Sequence, residues 1–180
     1  MYRSRHVMTK APMHSLSSYD SDIIKRIRSN DLDLDTLSMS MSIIGPNGAK
    51  QLADALKFNT TITELYLNNN QINDAGVYYI SQACEYNTSL KVLDLSGNKI
   101  TDKGVSAIVK MLRNNTSLSM LLLNKNLISS DVLKMLSDGL QANTTLTDLS
   151  LSHNSFNGAE LKSILHQFSI RLIVKPFELI

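Results

Sequence analysis

One spacing constrains this chain more than any other feature. The pattern L-x-x-L-x-L-x-x-N occurs as Ile62–Leu65–Leu67–Asn70 and again as Leu90–Leu93–Leu95–Asn98. It continues as Leu118–Leu121–Leu123–Asn126 and Leu146–Leu149–Leu151–Asn154, so the first positions fall at 62, 90, 118 and 146, 28 residues apart each time. One period earlier stands Leu34–Leu37–Met39–Ser42, with Ser in place of Asn, and one period later Val174–Phe177–Leu179. The second half of each unit keeps the same phase. Ile44, Ile72, Ile100, Ile128 and Phe156 come two places after the Asn position, and Gly48, Gly76 and Gly104 come at six, replaced by Val132 and Glu160. Leu52, Ile80, Ile108, Leu136 and Ile164 recur after these, each with apolar neighbours three and four residues away, the mark of one helical face. Each unit is therefore expected to be a short strand, a turn and a helix of about three turns. A single unit cannot bury its apolar stripe alone, so the units stack and share one core.

By these residues the chain resembles the leucine-rich repeats of the ribonuclease-inhibitor-like class, over about residues 20–180. The resemblance implies an α/β solenoid, a right-handed horseshoe arc with parallel strands on the concave face and helices on the convex face. Proteins of this class include cytosolic innate-immune receptors, the actin-capping tropomodulins, Ran GTPase activators and repeat effectors of intracellular bacteria. Such a motif specifies a fold far more tightly than a function.

The expected organisation is a flexible N-terminal tail over 1–19 and a single repeat domain over 20–180. Within the domain, a cap helix occupies 20–30, five 28-residue units occupy 34–173 and a terminal strand occupies 174–180. Asp20 or Ser21 can N-cap the first helix, whose Ile24 and Ile27 lie one period before Leu52 and Ala55. Pro176 removes a ladder donor from the last strand, which suits an edge. The tail contains Arg3, Arg5 and Lys10 and no apolar run resembling a secretory signal.

Charge and cysteine content narrow the classes further. A formal net charge of +2 over 180 residues, with the basic residues scattered, gives no footprint for nucleic acid. No apolar run reaches the roughly 18 residues of a membrane span. The single cysteine, Cys84, allows no internal disulfide and favours a reducing compartment. It falls in a helix core slot as a small buried hydrophobe.

Several chemically suggestive motifs have structural explanations. Asn59, Asn87, Asn115 and Asn143 each begin a glycosylation sequon, yet they recur between helix and strand, where Asn and Thr suit the turn. The Asn70, Asn98, Asn126 and Asn154 column is expected to satisfy backbone groups left unpaired by the bend. Asp31, Asp33 and Asp35 alternate with Leu32 and Leu34 and lack the glycine and bidentate Glu of a calcium loop. His6 and His14 lie in the tail, and His166 is expected on an outer helix face. His153 has no second His or Cys at zinc spacing. Ser152 and His153 lie beside Asp148 without the arrangement of a triad.

Binding is expected on the residues between the leucines, which face away from the core. Strand by strand these are Thr36, Ser38, Ser40 and Met41; Glu64, Tyr66, Asn68 and Asn69; and Val92, Asp94, Ser96 and Gly97. Met120, Leu122, Asn124 and Lys125 come next, then Asp148, Ser150, Ser152 and His153. Most are small and polar. Tyr66, Val92, Met120 and Leu122 are not, and they are expected to merge into an apolar patch rimmed by Glu64, Asp94 and Asp148, with Lys125 and His153 nearby. The leading expectation is a monomeric, non-catalytic module that binds a protein on its concave face, as a bacterial effector or an intracellular scaffold or sensor. It would need no cofactor, metal, nucleic acid, membrane or small-molecule substrate, and would work in the cytoplasm, the host's in the case of an effector. The resemblance also implies two alternatives: a regulator like the Ran GTPase activators, and an actin-binding domain like tropomodulin. Against the first, Arg113 is the only arginine between Leu34 and Ile170. Against the second, tropomyosin-binding helices are missing and a strand stands where a closing helix is expected.

Overall fold

A computed structural model describes residues 7–9, 18–156 and 171–173 of the chain. Strands β1 (Val7–Thr9), β2 (Thr36–Ser38), β3 (Glu64–Tyr66), β4 (Val92–Asp94), β5 (Met120–Leu122), β6 (Asp148–Ser150) and β7 (Arg171–Ile173) form one sheet in sequence order. Every neighbouring pair is parallel. Between them run α1 (Ser18–Arg28), α2 (Gly45–Leu56), α3 (Asn73–Cys84), α4 (Asp102–Asn114) and α5 (Leu133–Ala142), each packed on the next. From β2 to β6 each residue pairs with the one 28 positions later: Leu37, Leu65, Leu93, Leu121 and Leu149 stand side by side.

These leucines are buried, and so are Leu52, Ile80, Ile108 and Leu136 from the helices, all within one continuous core cluster. Burial of each such side chain contributes about 1.5–3 kcal/mol, so the core supplies most of the driving force. Close helix packing explains the glycine column. A Cβ on Gly76 would collide with Ile72 Cγ2 and press on Ala49 and Pro46. Where Val132 takes the glycine's place, the helix opens with a 3₁₀ turn over Ser130–Val132 before α5 begins.

Two columns of buried asparagines clamp the ends of the strands. At the C-terminal end, Asn98 Oδ1 accepts from the backbone N–H of Asn70 at 2.9 Å and Ile72 at 3.3 Å, while its Nδ2 donates to Leu67 O at 2.8 Å. Asn70 does the same for Ser42, Ile44 and Met39, and Asn126 for Asn98, Ile100 and Leu95. Before the strands, Asn87 Nδ2 donates to Leu56 O at 2.8 Å and Asn59 O at 2.9 Å, and its Oδ1 accepts from Leu90 N at 2.8 Å. Asn59, Asn115 and Asn143 repeat that arrangement with Ile27, Cys84 and Leu112. The sequon asparagines are thus consumed by the fold.

Both ends of the sheet differ from expectation. Val7–Thr9, assigned to a flexible tail, pairs as β1 with Thr36–Ser38, an offset of 29. The first helix begins at Ser18, so Asp20 and Ser21 lie within its first turn and do not cap it. The last described strand is Arg171–Ile173, inside the stretch assigned to the fifth unit; Asp148 pairs with Arg171, an offset of 23. A 28-residue offset would have set Pro176, which has no N–H, opposite Asp148, whereas the observed register sets Leu172 beside Leu149. The expected positions Val174–Ile180, Ile164, His6, His14 and His166 lie outside the described residues.

Turns after the strands use left-handed backbone. Met41, Asn69, Gly97, Lys125 and His153 share one such column, and Ile43, Gln71 and Lys99 another, with φ between 52° and 67°. A β-branched residue is strained there. Ile43, at φ 52° and largely exposed, is held because the amides on both sides of it, Ser42 and Ile44, donate to Asn70 Oδ1.

Chemical denaturation should register both effects. Asn98→Ala should destabilise the fold by about 3–5 kcal/mol, because several buried backbone groups lose their partner at once, whereas Lys99→Ala should stay within about 0.5 kcal/mol. Ile43→Asn should stabilise it by about 1 kcal/mol through relief of left-handed strain.

Candidate functional site

The outward side chains of β3–β6 form two rows across the sheet. One runs Glu64, Val92, Met120, Asp148 and the other Tyr66, Asp94, Leu122, Ser150. Adjacent strands lie about 4.8 Å apart, so neighbours within a row touch. Val92 and Met120 are therefore in contact range, and Leu122 stands two residues beyond Met120 on the same face. All three are half-buried. Tyr66 sits diagonal to Val92, but Asp94 separates it from Leu122 along its row. Its hydroxyl donates to Glu64 Oε2 at 3.0 Å, which turns the polar end of the ring toward the rim.

The apolar centre is thus Val92–Met120–Leu122, with Tyr66 at its margin. Three carboxylates surround it; within β3–β6 no lysine or arginine stands in either row, and Arg171 of β7 takes the next register position beside Asp148. Asp94 Oδ1 accepts from Ser96 N at 2.8 Å, and Asp148 Oδ2 accepts from Thr147 Oγ1 at 2.8 Å, so both carboxylates are oriented. Lys125 and His153 do not join the rows. They are exposed in the left-handed turn column, at φ 53° and 58°, beyond the C-terminal ends of β5 and β6. Thr36, Ser150 and Ser152, expected on the open face, are buried. Ser150 Oγ donates to Asn124 Oδ1 at 2.5 Å and the Ser152 N–H donates to the same atom at 2.9 Å.

Other candidates resolve into structural roles. Asp31 is held below the usual carboxylate range first by the side-chain hydrogen bond from Arg26 and then by the Asp33 N–H. Among the described residues, no group of three or more His, Cys, Asp or Glu is placed to hold a metal ion, and no helix is long and apolar enough to cross a membrane. Arg113 is exposed in the last turn of α4. Cys84 is buried, and desolvation pushes its thiol up to about 12.

A second set of side chains lies at the helix ends, outside the leucine pattern that predicts the strand face. Phe58 and Tyr86, one period apart just beyond α2 and α3, are 74% and 62% exposed. The signal in the sequence is the contrast down their column, where the matching positions are Asn30, Asn114 and Ala142.

The chain matches the TMOD/LMOD leucine-rich domain family over residues 20–126, and a general leucine-rich repeat family over residues 142–164. Among solved structures, actin-binding site 2 of leiomodin-1 is similar with a TM-score of 0.77 and 25% identity, over 86% of this chain and 88% of that one. The Caenorhabditis elegans tropomodulin C-terminal domain is similar in fold, with a TM-score of 0.56 and 12% identity over 90% and 84% of the two chains. The TLR13–ssRNA13 complex shares the fold over 84% of this chain and 19% of that one, at a TM-score of 0.50 and 22% identity. No curated protein matches the chain significantly.

The Cys84 environment predicts that a thiol reagent at pH 8 will label the folded protein only at its rate of opening. The thiol's pKa is raised above its ordinary 9.0, so its contribution to stability is complete below pH 9 and declines as pH rises toward 12. Cys84→Ala should flatten that decline in denaturation curves measured across this range.

Proposed function

The chain belongs to the TMOD/LMOD leucine-rich domain family, and we propose that it is a non-catalytic actin-binding domain. The observation that carries this reading is the correspondence with leiomodin-1 actin-binding site 2 along nearly the whole of both chains. It favours the actin-binding alternative over the effector or scaffold reading, and no separate observation favours GTPase activation. The constant pairing offset from β2 to β6 supports 28-residue units of the ribonuclease-inhibitor-like class, arranged as a horseshoe arc with the strands on its concave side.

On this reading the Val92–Met120–Leu122 patch contributes apolar contact area. Glu64, Asp94 and Asp148 select a partner surface that is apolar at its centre and basic at its edge. Tyr66 presents a broad ring whose hydroxyl stays satisfied by Glu64. Lys125 and His153 would meet the partner from the turn edge. Cytoplasmic location suits an actin-binding domain, and it suits sequon asparagines whose amides are buried in hydrogen bonds.

The test is sedimentation with filamentous actin together with binding to monomeric actin. Wild-type protein should bind one of the two forms; binding to neither overturns the actin reading. Leu122→Asp combined with Tyr66→Ala should weaken binding by about tenfold or more, since a desolvated apolar anchor is lost and a fourth carboxylate added. Unchanged affinity in a variant with native circular dichroism would leave actin binding standing and remove the strand face from it.

A further inference from the structure

The opposite side of the molecule carries a feature that the repeat does not require. The positions just past α2 and α3 hold Phe58 and Tyr86, both strongly exposed, where other units place Asn30, Asn114 and Ala142. Exposed aromatic rings do nothing for the core, and their two positions are adjacent in the stack. Lys57 lies between them. Its ammonium is 4.3 Å from the Tyr86 ring centroid and 5.2 Å from that of Phe58. Among the described residues no carboxylate pairs with it.

The surrounding charges are already balanced. Lys50 Nζ is 3.6 Å from Asp54 Oδ2, and Lys110 Nζ is 3.1 Å from Glu85 Oε1. Beneath these groups a cleft of about 210 Å³ opens between α2 and α3, walled by Asp54, Lys57, Gln82, Glu85 and Lys110 as well as Ala53, Tyr79, Ala83 and Tyr86. That volume suits one or two side chains. The site therefore offers one uncompensated cation, two flanking aromatic faces and a small recess.

We propose that this cleft docks an extended peptide segment of a partner protein, with one carboxylate on Lys57 and apolar side chains beside it against the exposed rings of Phe58 and Tyr86. The charge count decides between occupants. A phosphate-rich surface or polyanion would meet Asp54 and Glu85 as well as Lys57, whereas a single carboxylate meets the one spare positive charge. The two rings, with centroids 5.2 and 4.3 Å from the ammonium, hold the Lys57 side chain in place to meet a carboxylate. This surface is separate from the strand face and does not depend on the actin reading.

The probe is the peptide Ac-Gly-Phe-Glu-Leu-Gly-NH2, titrated into isotopically labelled full-length protein and monitored by amide chemical shifts. Shifts should concentrate at Lys57, Phe58, Ala83 and Tyr86. Replacing the peptide's Glu by Gln should weaken binding about tenfold, the size expected for loss of one charge-assisted hydrogen bond. Lys57→Met, which keeps the aliphatic stem, should do the same. Phe58→Asn with Tyr86→Asn, which restores the residue found at Asn30 and Asn114, should abolish the shifts while resonances of the other units stay in place. The proposal is overturned if the peptide gives no localised shifts at millimolar concentration, if the Gln peptide binds equally well, or if Lys57→Met changes nothing. It is equally overturned if phosphatidylserine vesicles or inorganic phosphate shift these residues and the peptide does not. Actin sedimentation of Lys57→Met should match wild type, which keeps this test distinct from that of the strand face.

Discussion

The amide side chain of asparagine, used twice per unit, is the interaction on which the rest of this structure depends. A parallel strand of only three residues has few ladder hydrogen bonds of its own, and the chain must leave it by a sharp bend at both ends. Each bend strands backbone donors and acceptors in a region that excludes water, where an unmet group costs about 1–3 kcal/mol. Asn98 and its column satisfy them after the strand, and Asn87 and its column before it. An amide is the fitting group because it donates and accepts at one end of a short stem. Each asparagine also bonds backbone groups of the preceding unit, so the amides that close a bend also set the distance between units.

With the ends of the strands clamped, the leucines have a fixed plane to occupy and the helices a fixed spacing to span. Gly76 and Gly104 meet that spacing by omitting a side chain; where Val132 stands instead, a 3₁₀ turn precedes the helix. The two outward rows of the sheet and the helix-end column remain outside these demands. Polar residues fill most of them. Val92, Met120 and Leu122 depart from that habit on one side and Phe58 and Tyr86 on the other, and those departures are where contacts with other molecules are to be sought.

The middle of the fold was legible in the sequence because identical side chains answer identical needs, unit after unit. Leu65, Asn98 and Ile108 each occupy the position that their spacing implies. The ends were not: β1 and β7, the outermost strands among the described residues, do not keep the period. Val7–Thr9 and Arg171–Ile173 pair at offsets of 29 and 23, which no 28-residue search detects. For the candidate site, alternation located Glu64, Tyr66, Val92, Asp94, Met120, Leu122 and Asp148 on one face. It failed for Lys125 and His153, where the backbone turns left-handed and alternation no longer applies. Alternation also did not reveal that Ser150 and Ser152 are buried, both bonded to Asn124 Oδ1. The aromatic pair at the helix ends was present in the sequence but lay outside the leucine pattern.

The clamps also bear on how the chain finds its structure. Nearly every bond between units joins residues about 26–31 positions apart, so assembling the stack requires closing loops of only about one unit's length. Because the entropy of closure grows with loop length, each addition to a growing stack meets the same modest barrier wherever it occurs. The search for the native state thus resembles the lengthening of a zipper more than the collapse of a globule. A lesion in one unit should leave those on either side able to hold their shape.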